Sequence, residues 1–243
     1  DMIPKKIHYC WLSDDPMPEK LLKCVESWKK YLPDYELVKW DLKKFPLSKN
    51  PWVREAFENK KYAFAADYIR LYALATEGGI YLDSDVEVLK PFDDLLKYPY
   101  FICKENSPQG IEAAIIGAEK NTPWVMECLN YYQGKHFIDK NGKAQTAVLP
   151  SILKKCILSK FEMKFIASPS QFVDNNNVVC VLPMDYFSPK NYVTKKITIT
   201  ANTYSIHHFA GTWQPLWKRL ALKIWVPFSV KYPGLAKVIK EKI

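Results

Sequence analysis

The chain lacks any apolar run near the roughly 18 residues a membrane-spanning helix needs, so no such helix is expected within it. It also lacks a C-x-x-C pair. The six cysteines, Cys10, Cys24, Cys103, Cys128, Cys156 and Cys180, are scattered singly, so zinc-ligand spacing is missing. With no secretion signal before "IPKKIHYCWL", reduced and mostly buried thiols are expected in a cytoplasmic protein, rather than a disulfide framework. Internal repeats and low-complexity tracts are missing too, and with 48% hydrophobic and 25% charged residues the composition is that of a folded globule.

Charge of one sign is unevenly placed. Residues 216–243, "LWKRLALKIWVPFSVKYPGLAKVIKEKI", hold seven Lys/Arg against one Glu, a net +6 of the chain's +9. Trp217, Trp225, Phe228 and Tyr232 interleave with those cations. The pattern suits an anionic membrane surface, with lysines snorkelling and aromatics at headgroup depth. A helix packed on the domain with a solvated basic face is the alternative. A basic excess confined to the tail argues against a nucleic-acid partner. The expected organisation is one domain over 1–215 with an appended segment, 216–243, in peripheral contact with the inner face of the cell membrane.

Apolar periodicity sets out the elements. Residues 5–12 alternate as a strand. Leu21, Leu22, Val25, Trp28 and Leu32 fall at helical spacing, and 34–41 reads as a second strand, a β-α-β opening that favours a parallel sheet. Helices are predicted over 51–59 and 62–77, the second apolar nearly all round and therefore buried. Gly78-Gly79 end it and release a strand over 80–85. Strands are expected at 100–105, 111–118, 163–167, 178–182 and 196–209, and helices from Thr122-Pro123 and over 145–158. The class is α/β, with a more β-rich second half.

Within "GGIYLDSDVEV" (78–88), Asp83 and Asp85 stand one residue apart at the end of a buried strand. Alternation along a strand would point both the same way, and two like charges at a strand tip need something positive between them. The carboxyl edge of a parallel sheet is where α/β folds bind ligands. A hard cation held by one or two carboxylates and completed by substrate phosphates would relieve the repulsion. A solvated pair of acids in a turn is the competing reading. Upstream, Asp67 and Arg70 lie three apart on the nearly apolar helix, where a charged pair is costly unless it is mutually paired or engaged with a ligand.

The string A-x-D-x-x-R followed by G-G-x-Y-x-D-x-D (residues 65–85) resembles glycosyltransferase family 32, which includes bacterial capsule-type sugar transferases and fungal mannosyltransferases. More distantly it is similar to the clostridial glucosylating toxins. "IPKKIHYCWL" resembles the family's opening strand, and "IHHFAGTW" (206–213) its H-x-x-G-S/T-W element. The resemblance implies a GT-A fold, in which a Rossmann-like nucleotide-binding sheet continues into an acceptor region. It implies a retaining, metal-dependent transfer from a nucleotide sugar to a glycan or lipid-linked glycan. UDP-galactose is favoured, ahead of UDP-glucose, UDP-N-acetyl sugars and GDP-mannose.

The same resemblance assigns roles. Asp83, Asp85 and His208 would hold Mn²⁺ or Mg²⁺, with His207 facing away as a core or surface histidine. Trp11 would stack on the base, Tyr81 touch the ribose or base or else pack in the sheet core, and Trp213 close over the diphosphate or else be a buried core tryptophan. Arg70 would face a phosphate or Asp67, and Asp67 would accept from sugar hydroxyls, making Asp67, Arg70 and Asp85 the catalytic set. His8 is expected to pack structurally. The chain departs from the family where "QTAVLP" lacks a Gly-Pro, leaving Gln145 as a guess for an acceptor contact. Glu112 stands where relatives carry Asn, and is expected to be a surface acid more readily than a sugar ligand.

Two further readings stay open. "IYLDSDVEV" partly matches a phosphatase pattern in which Asp83 would be the nucleophile, although Glu87 replaces its Thr or Val. A sugar-nucleotide-binding module without catalysis is the other. A glycoside hydrolase is excluded by the closeness of Asp83 and Asp85.

Overall fold

The structure is a computed structural model describing residues 3–108, 110–211 and 216–241. The chain opens with strand β1 (Lys6–Cys10), helix α1 (Glu19–Tyr31) and strand β2 (Glu36–Trp40). Leu21, Cys24 and Trp28 are the buried face of α1, the i, i+3, i+7 pattern of an amphipathic helix. Helices α2 (Pro51–Glu58) and α3 (Tyr62–Glu77) follow, then β3 (Gly79–Leu82) and β4 (Val86–Val88). Pro51 at the first position and the Asn50 side chain, which accepts from Val53 N, start α2. Gly78 ends α3 at φ 67°, with its N–H returning to Leu74 O. A Cβ there would sit 2.7 Å from the Lys120 backbone nitrogen, so glycine is required twice over.

Next come β5 (Tyr100–Phe101), β6 (Ile115–Ala118), α4 (Pro123–Asn130), α5 (Leu149–Lys160), β7 (Glu162–Phe165), β8 (Val178–Val181) and β9 (Ser205–His207). Helices α6 (Leu216–Lys231) and α7 (Pro233–Lys240) end the chain. The central sheet runs β2-β1-β3-β6-β5. Its first three strands are parallel, while β6 and β5 are antiparallel additions. Side pairs are β4 with β9, antiparallel, and β7 with β8, parallel.

Alternation divides the core into two layers. Tyr81 and Ile116 face α3, together with Trp40, Ile69 and Trp124. Ile80, Leu82 and Ile115 face the other side, against Trp28, Phe92, Phe101 and Phe187. The α/β class, the β-α-β opening and the buried α3 are as the pattern predicts. The strand expected over 196–209 shortens to β9, and the helix expected over 145–158 begins at Leu149. Thr122 precedes α4 but caps nothing, because its hydroxyl donates to Glu119 O instead. All six cysteines are free and buried.

Candidate active site

Parallel strands β1 and β3 end at the same edge of the sheet, which places Cys10-Trp11 beside Asp83. Strand β6 runs the other way, so the segment entering it, Glu112–Ala114, reaches that edge as well. Asp83 N donates to Ala114 O at 2.9 Å. The strand then stops. Val86 N donates to Asp83 O and closes a turn, so Asp83 and Asp85 converge through a turn rather than through strand alternation. Beyond it, β4 pairs with β9 in a register that sets Val86 opposite His207.

Two cations answer the two acids. Arg70, projecting from α3, lies 3.2 Å from Asp83 and 3.1 Å from Asp67, and donates to Ala113 O at 2.6 Å. Its guanidinium sits 4.5 Å from the centre of the Tyr81 ring, whose hydroxyl donates to Asp83 at 3.0 Å. Tyr81 is 1% exposed. Of its two expected placements the ring takes the sheet core, and its hydroxyl acts on Asp83. His207 Nε2 stands 3.5 Å from Asp85, while Nδ1 pairs with Glu112 at 3.1 Å. Asp85 also accepts from Ala210 N at 2.8 Å.

The histidine assignment is reversed. His208 Nε2 meets Glu87 at 2.8 Å, on the opposite side of β9, and His207 is the one that joins the acids. Ligand atoms of Asp83, Asp85 and His207 all lie within 4.8 Å of one another. Two carboxylates and one imidazole suit Mn²⁺, and less readily Mg²⁺. Glu112, expected at the surface, has no exposure at all. It accepts from Ser188 Oγ at 2.7 Å, from Ala114 N at 2.9 Å and from His207, which fixes the imidazole as carboxylates fix metal-binding histidines.

Electrostatics follow from burial and these partners. Burial pushes the Asp67 carboxyl up to about 7, with Arg70 opposing. Asp83 is raised by burial and Asp85, again against Arg70. For Asp85 burial is outweighed by the charge and hydrogen bond of His207 and by Ala210 N, holding it at about 2. Burial would lower the His207 imidazole, but Glu112 and Asp85 raise it well above its ordinary value. Glu105, buried nearby, is pushed up to about 7 by desolvation and Glu112.

The remaining expected residues divide. Trp11 keeps a partly exposed ring at the edge, its Nε1 donating to Asp15 O. His8 is structural as expected, set between Gly78 O and Trp40 Nε1. Gln145 is exposed and bonded to Asp139. Trp213 lies outside the described residues. Glu105, Glu112, Ser188 and His207 are the residues that motif reading undervalued. For His207 the available signal was the adjacent pair "HH", of which one member had to face the acids.

Residues 18–102 match the family model described as "Glycosyltransferase sugar-binding region containing DXD motif". Inositol phosphoceramide mannosyltransferase 3 of Schizosaccharomyces pombe is 34% identical over 129 residues, covering 51% of this chain and 36% of that protein. Inositol phosphoceramide mannosyltransferase 2 of the same yeast is 30% identical over 208 residues, covering 79% of this chain and 56% of that protein. The chain thus spans between about a third and somewhat over half of the length of these relatives. Among solved structures, the PaToxG glycosyltransferase aligns with a TM-score of 0.49 and 24% identity, covering 65% of this chain and 69% of that one.

Proposed function

We propose, for a chain that belongs to the glycosyltransferases with the DXD-containing sugar-binding region, that it moves a hexose from a nucleoside diphosphate sugar to a glycan or lipid-linked glycan. The observation carrying this reading is the convergence of Asp83, Asp85 and His207 at the carboxyl edge of the parallel strands. These three would hold the divalent cation, Mn²⁺ before Mg²⁺, which when bound supplies Lewis-acid neutralisation of charge on a departing diphosphate. Arg70 opposes the burial that raises Asp83, and Glu112 holds the His207 ring toward Asp85. Asp67 is the candidate acceptor for a sugar hydroxyl, and the Trp11 ring is the candidate surface for the base.

The names of the yeast relatives put mannose beside galactose as the sugar. Retention at the anomeric carbon rests on the family resemblance, and the anomeric proton of the product reads it directly. The tail, helices α6 and α7, is proposed to hold the enzyme at an anionic cytoplasmic membrane face, where a lipid-linked acceptor would lie.

UDP-galactose, UDP-glucose, UDP-N-acetylglucosamine and GDP-mannose offered with Mn²⁺ test the donor. One of them should release its nucleotide, and Asp85→Ala should cut that release by about a hundredfold or more. No release from any of the four overturns the reading. Phosphate freed from a simple monoester, with no nucleotide release, favours the phosphatase instead.

A further inference from the structure

A nucleoside diphosphate brings two or more negative charges to a site that already holds Asp83, Asp85 and Glu112. Arg70 and His207 are occupied in balancing those acids. Besides the divalent cation, the nearby segment over 190–197 carries further positive charge, Lys190, Lys195 and Lys196.

Lys190 pairs with Ile197 in an antiparallel bridge, forming a hairpin. Asn191 builds its turn: its side-chain oxygen accepts from Val193 N and Thr194 N, and its carbonyl accepts from Lys195 N. The hairpin is tied to the active-site wall rather than hanging free. Tyr192 N donates to Asn106 O, and Asn191 Nδ2 donates to Asn106 Oδ1. Asn106 N in turn donates to Ser188 Oγ, the hydroxyl that donates to Glu112. On the other side, the Tyr192 ring stands edge-on to Phe209 at 5.3 Å, and Phe209 lies 4.0 Å from the His207 ring.

Backbone strain accompanies these contacts. Phe209 at φ 51° and Lys195 at φ 61° occupy the left-handed region that bulky side chains avoid. Such strain persists where surrounding contacts over-determine it, and it gathers at ligand sites. The Lys195 ammonium is parked over the Tyr192 and Phe209 rings, 4.7 and 5.6 Å from their centres. Among the described residues, neither Lys190 nor Lys195 has a carboxylate in ion-pair contact; Lys190 is partly buried and Lys195 exposed. Burial lowers the Lys190 ammonium, with Asp85 opposing and Lys20 adding to it. Lys195 is lowered by desolvation and by Lys190. Lys190 is thus within electrostatic reach of Asp85, and Lys195 within reach of Lys190.

We infer that the 190–197 hairpin is an anion-binding wall of the active site, with Lys190 and Lys195 taking the diphosphate of the donor. This rests on the donor reading given above. Two ammonium groups beside one diphosphate complement its charge and leave the nucleoside and the sugar to other surfaces.

Calorimetric titration of the full chain with UDP and GDP, in Mn²⁺, tests the assignment, with uridine and guanosine as phosphate-free probes. Lys190→Gln should weaken the preferred diphosphate about tenfold or more, and Lys195→Gln by a smaller factor. Nucleoside binding should be unchanged, and Lys190→Arg should restore most of the loss. Near-UV circular dichroism like that of the wild type identifies a folded variant. If the wild type binds a diphosphate and the double Lys→Gln variant binds it within twofold, the inference is overturned while the donor reading stands. If the wild type binds neither diphosphate, the donor reading falls and takes the inference with it.

Discussion

Arg70 serves three acceptors at once: Ala113 O, Asp67 and Asp83. A planar guanidinium can do this from one position, whereas an ammonium is a point charge on a flexible stem. Arg70→Lys should therefore leave one carboxylate or the Ala113 carbonyl without its donor in a buried place. Breaking a buried ion pair costs about 3 kcal/mol, and urea unfolding should record a loss of that order. A change below about 0.5 kcal/mol would mean that water or a rotated Asp67 replaces the guanidinium. The pair Asp67/Arg70 was visible in the sequence as a charged spacing on an apolar helix. Its third partner was not, because Asp83 comes to Arg70 only when β3 lies along α3.

At the scale of the element, α6 and α7 differ from every other helix. Leu220, Ile224, Val230, Leu235 and Val238 are exposed, Ile224 by 76%. Exposed aliphatics gathered on one segment mark a surface that a partner or a lipid covers. Among the described residues no helix is long and apolar enough to cross a membrane, so the proposed role is an interfacial one. Lys223, Lys231, Lys237 and Lys240 on these helices complement anionic headgroups, each contributing roughly 1 kcal/mol near such a surface. The full chain should co-sediment with phosphatidylserine-containing vesicles at low salt, bind less as salt rises, and leave neutral vesicles alone. Failure to bind the anionic vesicles sinks the membrane proposal. A chain that dimerises through this segment in light scattering, and ignores vesicles, assigns the apolar surface to a second copy.

For the whole molecule, Asp67, Glu105 and His207 outnumber the one buried group among the described residues that opposes them near neutral pH, His8, which burial lowers. Asp67 and Glu105, each at about 7 when folded, keep protons that the unfolded chain has released from about pH 4 upward. Stability therefore falls as pH rises through that window. The His207 imidazole, raised by its two carboxylates, contributes stability that is complete below about pH 6.5 and is lost as pH climbs through its raised value. Asp85, at about 2, contributes above about pH 4 and loses that contribution only in strong acid. Falling net charge toward a pI near 9.1 works the other way, but through exposed groups that salt screens. In EDTA and high salt, the Tm should be several degrees higher near pH 5.5 than at pH 8.5. A Tm that is flat or rising with pH contradicts the arrangement of these four groups.

The sequence by itself determined the α/β class, the β-α-β opening, the buried α3 and the acids at the end of β3. Periodicity, Gly78-Gly79 and the costliness of paired acids are all local signals. Asp67, Arg70, Asp83 and Asp85 were therefore legible as a set, whatever the ligand. Tertiary structure decided which histidine joins them. Its side of β9 depends on the register against β4, and a shift of one residue would exchange His207 for His208. It also decided that Glu112 is buried, since the antiparallel entry of β6 brings a residue 27 positions beyond Asp85 under His207. Lys190 and Lys195 joined the site for the same reason. Local propensity fixes where a chain runs straight or turns, whereas a site assembled across strands depends on pairings between segments far apart in sequence.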